Sequence, residues 1–147
     1  MLSPPDILNA RILVVDDQVA NVRLLEGMLR VAGYACIEST TDPNRVCELH
    51  RKHRYSLILL DLQMPVMDGF QVMEGLKEIE EDGYLPVLVI TAQPDHKLRA
   101  LQAGAKDFVS KPFDMTELRA RVHNILEVRL LHLEAKNYSK VLEETVR

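Results

Sequence analysis

Five polar residues of this chain end or directly follow short apolar runs of strand length. They are three carboxylates, one hydroxyl and one amine: Asp16, Asp17, Asp61, Thr91 and Lys111. Three carboxylates held close together repel one another unless a cation joins them. A hard cation such as Mg²⁺ fits, because it binds one or two carboxylates and still accepts water and phosphate oxygens.

The same side chains suit phosphoryl transfer. A carboxylate can act as a covalent nucleophile towards phosphorus. The transfer also requires positive charge and hydrogen-bond donors around the phosphoryl oxygens. Mg²⁺, the ammonium group of Lys111 and the hydroxyl group of Thr91 would supply them.

Apolar runs alternate with segments of helical periodicity along the chain. We predict five strands, at Ile12–Val15, Tyr34–Ser39, Leu57–Leu60, Val87–Ile90 and Asp107–Ser110. We predict helices from Val19 to a stop at Gly33, from a cap at Asp42 to about His53, from Gly69, over Asp95–Ala103, and from Asp114. Strands that are apolar throughout indicate a parallel sheet. Five βα units in series predict a doubly wound α/β fold, which binds ligands at the carboxyl ends of its strands.

The last predicted helix is longer than the domain requires. Neither proline nor glycine interrupts the chain from Asp114 to Arg147. Such a helix spans about 50 Å and overhangs a domain whose radius of gyration is about 14 Å. Its first apolar positions suit packing on the sheet: Leu118, Val122 and Ile125. The later ones follow the a/d spacing of a coiled coil: Val128, Leu131, Ala135, Tyr138, Leu142 and Thr145. A helix that folds back onto the domain, or a linker, explains this spacing equally well.

Composition excludes several classes of protein. The net charge of −4 argues against nucleic-acid binding. The longest apolar runs are far shorter than the roughly 20 residues of a membrane span, and no basic signal-peptide region begins the chain. Cys36 and Cys47 form no metal-like or disulfide framework, so we expect a cytoplasmic protein in which both pack. We expect His50 and His53 to be solvated helix residues.

Four segments in order resemble the receiver domain of two-component response regulators, over about residues 9–127. They are Ile12-Leu13-Val14-Val15-Asp16-Asp17, the ten residues from Leu60 to Gly69, Ile90-Thr91-Ala92, and Lys111-Pro112-Phe113. The resemblance implies a flavodoxin-like, five-stranded parallel sheet of order 2-1-3-4-5, flanked by five helices of which the last is extended. Residues 128–147 would be a helical extension outside the domain.

The resemblance also implies roles for the residues that could hold the metal and the phosphoryl group. Asp61 would be the phosphoacceptor. Asp16, Asp17, Asp61 and the backbone carbonyl of Gln63 would hold Mg²⁺, and Lys111 would bind a phosphate oxygen.

Three further features would accompany phosphorylation. The bond before Pro112 would be cis. The phosphoryl group would attract the Thr91 hydroxyl, and Phe108 would then turn inward, as in a two-state switch. Variation at Gln63 and Gln93 would tune the lifetime of the phosphoryl group.

The resemblance implies a histidine kinase or a phosphotransfer protein as donor, and a chain that turns over no metabolite. The extension is similar to helical linkers before cyclic-dinucleotide enzymes, including those with HD-GYP domains, and would support a homodimer. The alternatives are a dimerisation module, a flavodoxin-like cofactor binder, and a Mg²⁺-dependent aspartate phosphatase. Phosphatases of that kind place an acidic residue two positions after the nucleophile, where this chain has Gln63.

Each residue also has a purely structural interpretation when taken alone. Asp16 and Asp17 could cap a helix, and Asp61 could belong to a turn. Thr91 could fill a strand, Lys111 could be a solvated surface charge, and Phe108 could be an ordinary core residue. The occurrence of all the motifs in order favours the functional interpretation.

Overall fold

The computed structural model describes residues 7–62, 69–80, 85–92, 95–111 and 114–146, with side chains as far as Leu131 apart from those of Asp95 and Lys97. The strands are β1 (Arg11–Val15), β2 (Cys36–Thr40), β3 (Leu57–Asp61), β4 (Val87–Thr91) and β5 (Asp107–Ser110). The helices are α1 (Val19–Val31), α2 (Val46–His53), α3 (Gly69–Ile79), α4 (Asp95–Gln102) and α5 (Met115–Val146). A 3₁₀ turn at Pro43–Arg45 precedes α2.

The five strands form one sheet of order β2-β1-β3-β4-β5, and every pair of neighbours is parallel. This confirms the predicted doubly wound α/β fold. All residues of β3 and β4 are buried, as expected for strands covered by helices on both faces. Because all strands are parallel, their carboxyl ends lie at one edge of the sheet.

Each face of the sheet carries its own apolar core. Alternate residues of a strand point to opposite faces. On one face, Leu13 packs with α2, α3 and α4 in what we call the first core. On the other face, Ile12 packs with α1 and α5 in the second core. The predicted sheet-facing residues of the last helix, Leu118, Val122 and Ile125, are all buried in the second core. The helices therefore cover both faces of the sheet, whereas the polar residues at the carboxyl ends of the strands lie outside the two cores.

The predicted bounds of β2 were wrong at its start. Gly33 has a φ of 102°, and the Tyr34 N–H donates to the Leu29 carbonyl at 3.1 Å. The turn after α1 therefore includes Tyr34, and β2 begins at Cys36. Tyr34 is buried in the second core, which is why its apolar character resembled that of a strand residue.

The start of the next helix was predicted in part. The Asp42 side chain accepts a hydrogen bond from the Asn44 N–H at 2.9 Å, with Pro43 next to it, as expected for a cap. The first turn is 3₁₀, however, and the α-helix begins at Val46.

The last helix has 32 residues and a length of about 48 Å at 1.5 Å per residue. Val128 and Leu131 are 57% and 46% exposed, so the first two positions of the predicted seam are not covered by the domain. The other seam side chains lie outside the described ones: Ala135, Tyr138, Leu142 and Thr145. The coiled coil and the division at residue 127 stay predictions. Within the described part of the chain, no helix has both the length and the apolar character that crossing a bilayer requires.

Two expectations for single residues were wrong. His50 is only 1% exposed, not solvated, because it packs beneath the end of α3. Cys36 is exposed, because β2 is an edge strand, whereas Cys47 packs against the first core as expected.

Candidate functional site

The ends of three neighbouring strands bring together the residues singled out in the sequence. β1 ends at Val15, directly before Asp16, and β3 and β4 end in Asp61 and Thr91 themselves. Val15 pairs with Leu60 in the sheet, so the residues that follow both strands emerge side by side. The parallel register therefore gathers these side chains at one edge.

The three predicted acidic residues form a compact cluster. Asp16, Asp17 and Asp61 each offer a carboxylate oxygen, and these oxygens all lie within 4.8 Å of one another. Asp16 and Asp61 are almost completely buried, and Asp17 is half-buried. Such a cluster is unfavourable without a cation, because like charges repel and burial removes the water that would screen them.

Asp16 also tests the capping interpretation. Its Oδ1 accepts a hydrogen bond from the Gln18 N–H at 2.9 Å, so one oxygen does shape the turn before α1. Its Oδ2 is buried and accepts no hydrogen bond from the residues that the structure describes. A buried oxygen in this state is costly, and a bound cation would satisfy it.

Lys111 lies opposite the acidic cluster. Its Nζ is 3.3 Å from Asp61 Oδ2 and 3.6 Å from Asp16 Oδ2. The Lys111 N–H donates to the Thr91 carbonyl at 3.0 Å, which places the lysine directly after β5. One ammonium group thus faces three carboxylates, so two formal negative charges are left over. That excess and the all-oxygen donor set match a hard divalent ion such as Mg²⁺.

Thr91 and Phe108 lie on the same face of the sheet. Thr91 is buried and is two residues from Val89, which pairs with Phe108 in β5. Phe108 is half-buried, packs against the first core, and has the guanidinium carbon of Arg121 5.6 Å from its ring centroid. The ring is thus placed between core and solvent, which suits either a core residue or a switch.

Other expected features lie outside the described residues. They are the backbone carbonyl of Gln63, the side chain of Gln93 and the bond before Pro112. Their roles stay predictions.

One contact at this edge was not anticipated from the sequence. The Gly69 N–H, at the start of α3, donates to the Leu62 carbonyl at 3.1 Å. A Cβ at Gly69 would lie 2.8 Å from Leu62 Cα and 3.0 Å from the Asp61 carbonyl oxygen. Only glycine lets α3 approach the Asp61 backbone so closely. The sequence predicted Gly69 only as the start of a helix, although a glycine at a helix start is also a signal of close approach.

Comparison with known proteins identifies the family to which this fold belongs. The family model described as "Response regulator receiver domain" matches residues 12–123. The chain belongs to the family of response regulator receiver domains, which are phosphorylated on an aspartate as a general mechanism.

The relatives come from several kinds of regulator. The chain is 40% identical over 126 residues to the response regulator PleD of Caulobacter vibrioides, covering 84% of this chain and 28% of PleD. It is 35% identical over 136 residues to the transcriptional regulator RpaA of Synechocystis sp., covering 91% of this chain and 56% of RpaA. The chain thus spans between about a quarter and just over half of these curated relatives.

A solved structure is similar over the whole domain. It is the receiver domain of the sensor histidine kinase PA1611 from Pseudomonas aeruginosa, described as having a magnesium ion coordinated in its active site cleft. The two are 30% identical, with a TM-score of 0.72, over 81% of this chain and 98% of that one.

Proposed function

We propose that Asp61 is the phosphoacceptor of this receiver domain and that its phosphorylation depends on Mg²⁺. The observation that carries the proposal is the contact of Lys111 Nζ with both Asp61 and Asp16, inside a cluster of three carboxylates. A nucleophilic carboxylate, a cation site and a fixed positive charge within a few ångströms are the parts that phosphoryl transfer needs.

Asp16, Asp17 and Asp61 would hold the ion, together with the backbone carbonyl of Gln63. When bound, Mg²⁺ would supply positive charge to the phosphoryl oxygens. The magnesium ion in the related PA1611 receiver domain supports this assignment.

The chain's own residues account for the transfer. An Asp61 carboxylate oxygen forms a bond to phosphorus while the phosphorus–nitrogen bond of a phosphohistidine donor breaks. The electron pair goes to the histidine nitrogen, which takes up a proton. Lys111 stabilises the charge on the transferred group, and water attack on phosphorus later releases inorganic phosphate and restores the Asp61 carboxylate.

We further propose that the Thr91 hydroxyl binds the phosphoryl group and that Phe108 responds by turning inward. Both lie on one face of the sheet, one strand apart. The donor would be a histidine kinase or a phosphotransfer protein in the cytoplasm. The chain would catalyse only its own phosphorylation and dephosphorylation.

Dimerisation through the extension is the second candidate function. We propose that residues 9–127 are the receiver domain and that residues 128–147 pair with a second copy or lead to an output domain. Val128 and Leu131, three residues apart on α5, are exposed apolar side chains and support pairing. Sedimentation of the chain with and without residues 128–147 tests this, and an unchanged association state would rule out pairing through the extension.

The acceptor is tested by incubating the chain with acetyl phosphate and Mg²⁺ and measuring its intact mass. We expect a gain of about 80 Da, the mass of one phosphoryl group, which Asp61→Asn abolishes. The exposed carboxylate variant Asp42→Asn is the matched control and should gain the same mass as the wild type. An equal gain in Asp61→Asn would exclude Asp61 as the acceptor.

A further inference from the structure

Three ionisable side chains lie buried together, away from the strand ends that carry the acidic cluster. They come from the last turn of α2, the residue after α3 and the middle of α5: His50, Glu80 and Arg129. The exposed fractions are 1% for His50, 7% for the Glu80 side chain and 7% for Arg129. A helix that follows a parallel strand returns towards the opposite edge of the sheet, so this cluster lies at the other end of α3 from the site.

The hydrogen bonds fix which atoms carry protons. The Tyr55 N–H donates to His50 Nδ1 at 3.1 Å, so Nδ1 is the acceptor and the ring proton lies on Nε2. Nε2 donates to Glu80 Oε1 at 2.5 Å. The other carboxylate oxygen, Oε2, lies 3.6 Å from Arg129 Nη2. A neutral imidazole thus orients a carboxylate that faces a guanidinium, and the charges of the cluster balance.

Arg129 belongs to the first turn of the proposed extension. Its neighbours Leu126 and Leu130 pack against the second core, on the α1 side of the sheet. Arg129 instead reaches the carboxylate beyond α3, on the other side. The helix is therefore held from two directions at the point where it leaves the domain, although Val128 between these residues is exposed.

The other end of α3 touches the proposed phosphoacceptor strand. Gly69, the first residue of α3, donates to the Leu62 carbonyl and packs against the backbone of Asp61 and Leu62. α3 has 11 residues and a length of about 16 Å. One short helix therefore connects the backbone of Asp61 to the carboxylate that contacts Arg129.

We propose that the His50–Glu80–Arg129 cluster is an anchor that holds the first turns of the extension against the end of α3. It goes beyond phosphoryl transfer, because it concerns how the extension is attached to the domain. Removing the Arg129 charge leaves the Glu80 carboxylate buried beside a neutral imidazole, and removing the Glu80 charge takes one partner from the buried Arg129 guanidinium, so either change is unfavourable. The first turns of the extension should then open more often, while the sheet keeps its own packing.

Hydrogen–deuterium exchange on the full chain tests the anchor. We expect Arg129→Met and Glu80→Gln each to speed the exchange of amides in peptides covering residues 124–134 and 76–80 by about tenfold or more, because buried charge pairs resist local opening. Amides of β1 and β3 should keep their exchange rates. Arg30→Met is the matched control, because it removes a surface ion pair with Glu26 on α1. It should leave the exchange rates of both peptides unchanged.

The double variant makes the test specific. If both residues act through one contact, Arg129→Met combined with Glu80→Gln should open the extension no further than the more severe single variant. The anchor would be overturned if the rate increases of the two single variants multiplied in the double variant, or if exchange in the extension did not change. Equal losses of protection in β1 and β3 would also overturn it. The measurement needs no phosphorylation, so its failure is distinguishable from a failure of the phosphoacceptor proposal.

Discussion

The repulsion within the acidic cluster makes Asp17→Asn a stabilising substitution in the absence of Mg²⁺. Asp17 is half-buried, and its side chain accepts one long hydrogen bond, from Gln18 Nε2 at 3.5 Å. The substitution therefore loses little local structure. It removes one of three negative charges, whereas the positive charge of Lys111 stays in contact with Asp16 and Asp61.

The size of the effect follows from the distances. Two unit charges 4.8 Å apart repel by about 1 kcal/mol in water and by about 3.5 kcal/mol at an effective dielectric constant near 20. Asp17 has two such neighbours, and the loss of its own attraction to Lys111 offsets part of the gain. We expect the free energy of unfolding to rise by about 1–2 kcal/mol, or a rise in Tm of roughly 2–8 °C.

Urea unfolding followed by circular dichroism measures this, once with EDTA and once with excess Mg²⁺. Mg²⁺ should stabilise the wild type, by about 2.7 kcal/mol at a hundred times its Kd, and should stabilise Asp17→Asn much less. The order of stability of the two proteins should therefore reverse between the two buffers. The control Asp42→Asn lies outside the cluster, so its free energy of unfolding should differ from that of the wild type by the same amount in both buffers. A variant that is less stable than the wild type in EDTA, or that gains as much from Mg²⁺, would refute the proposed metal site.

Three further predictions test other parts of the structure. Burial lowers the pKa of His50. At a pH near or below the ordinary histidine value of about 6.5, the folded chain therefore binds fewer protons than the unfolded chain. The free energy of unfolding should fall as the pH drops through this range. His50→Gln should remove that part of the pH dependence in urea titrations between pH 7.5 and 5.5, and the exposed His123→Gln should not. Gly69→Ala should destabilise the chain by about 1–3 kcal/mol, because the added Cβ would collide with the backbone of Asp61 and Leu62. The control Gly27→Ala, on α1 with open space around it, should stabilise the chain by about 0.5–1 kcal/mol. Equal urea midpoints for the two variants would contradict the close approach at Gly69. Lys111→Met should slow phosphorylation by acetyl phosphate without weakening Mg²⁺ binding in calorimetry, because it removes positive charge from the cluster; an unchanged rate would remove Lys111 from the transfer.

The strand ends explain why the acidic cluster was predictable. Apolar runs that are buried on both faces indicate parallel strands, and the residues that end parallel strands share an edge. Asp16, Asp61 and Thr91 are therefore placed by the fold itself, once the strands are recognised. Their position at the ends of apolar runs carries this signal, and the structure brings Asp16 and Asp61 together as expected.

Other features needed information that short sequence patterns do not carry. Glu80 and Arg129 lie 30 and 79 positions after His50, on elements that only the packing brings together. Val46 lies one turn before His50 on the same face of α2, but a single apolar residue at that spacing does not by itself predict that a histidine is buried. The prediction that Tyr34 begins β2 failed for the opposite reason, because an aromatic residue buried in a turn resembles a strand residue. The close approach of α3 to the Asp61 backbone at Gly69 likewise depends on the distance between two elements.

The identity of the phosphorylated residue tests the central claim most directly. The chain would be phosphorylated with acetyl phosphate and Mg²⁺, reduced with borohydride, which converts an aspartyl phosphate to homoserine, and mapped by tandem mass spectrometry. We predict homoserine at position 61 alone. Homoserine at position 16 or 17, with an unmodified Asp61, would show that the carboxylate in contact with Lys111 at 3.3 Å is not the nucleophile.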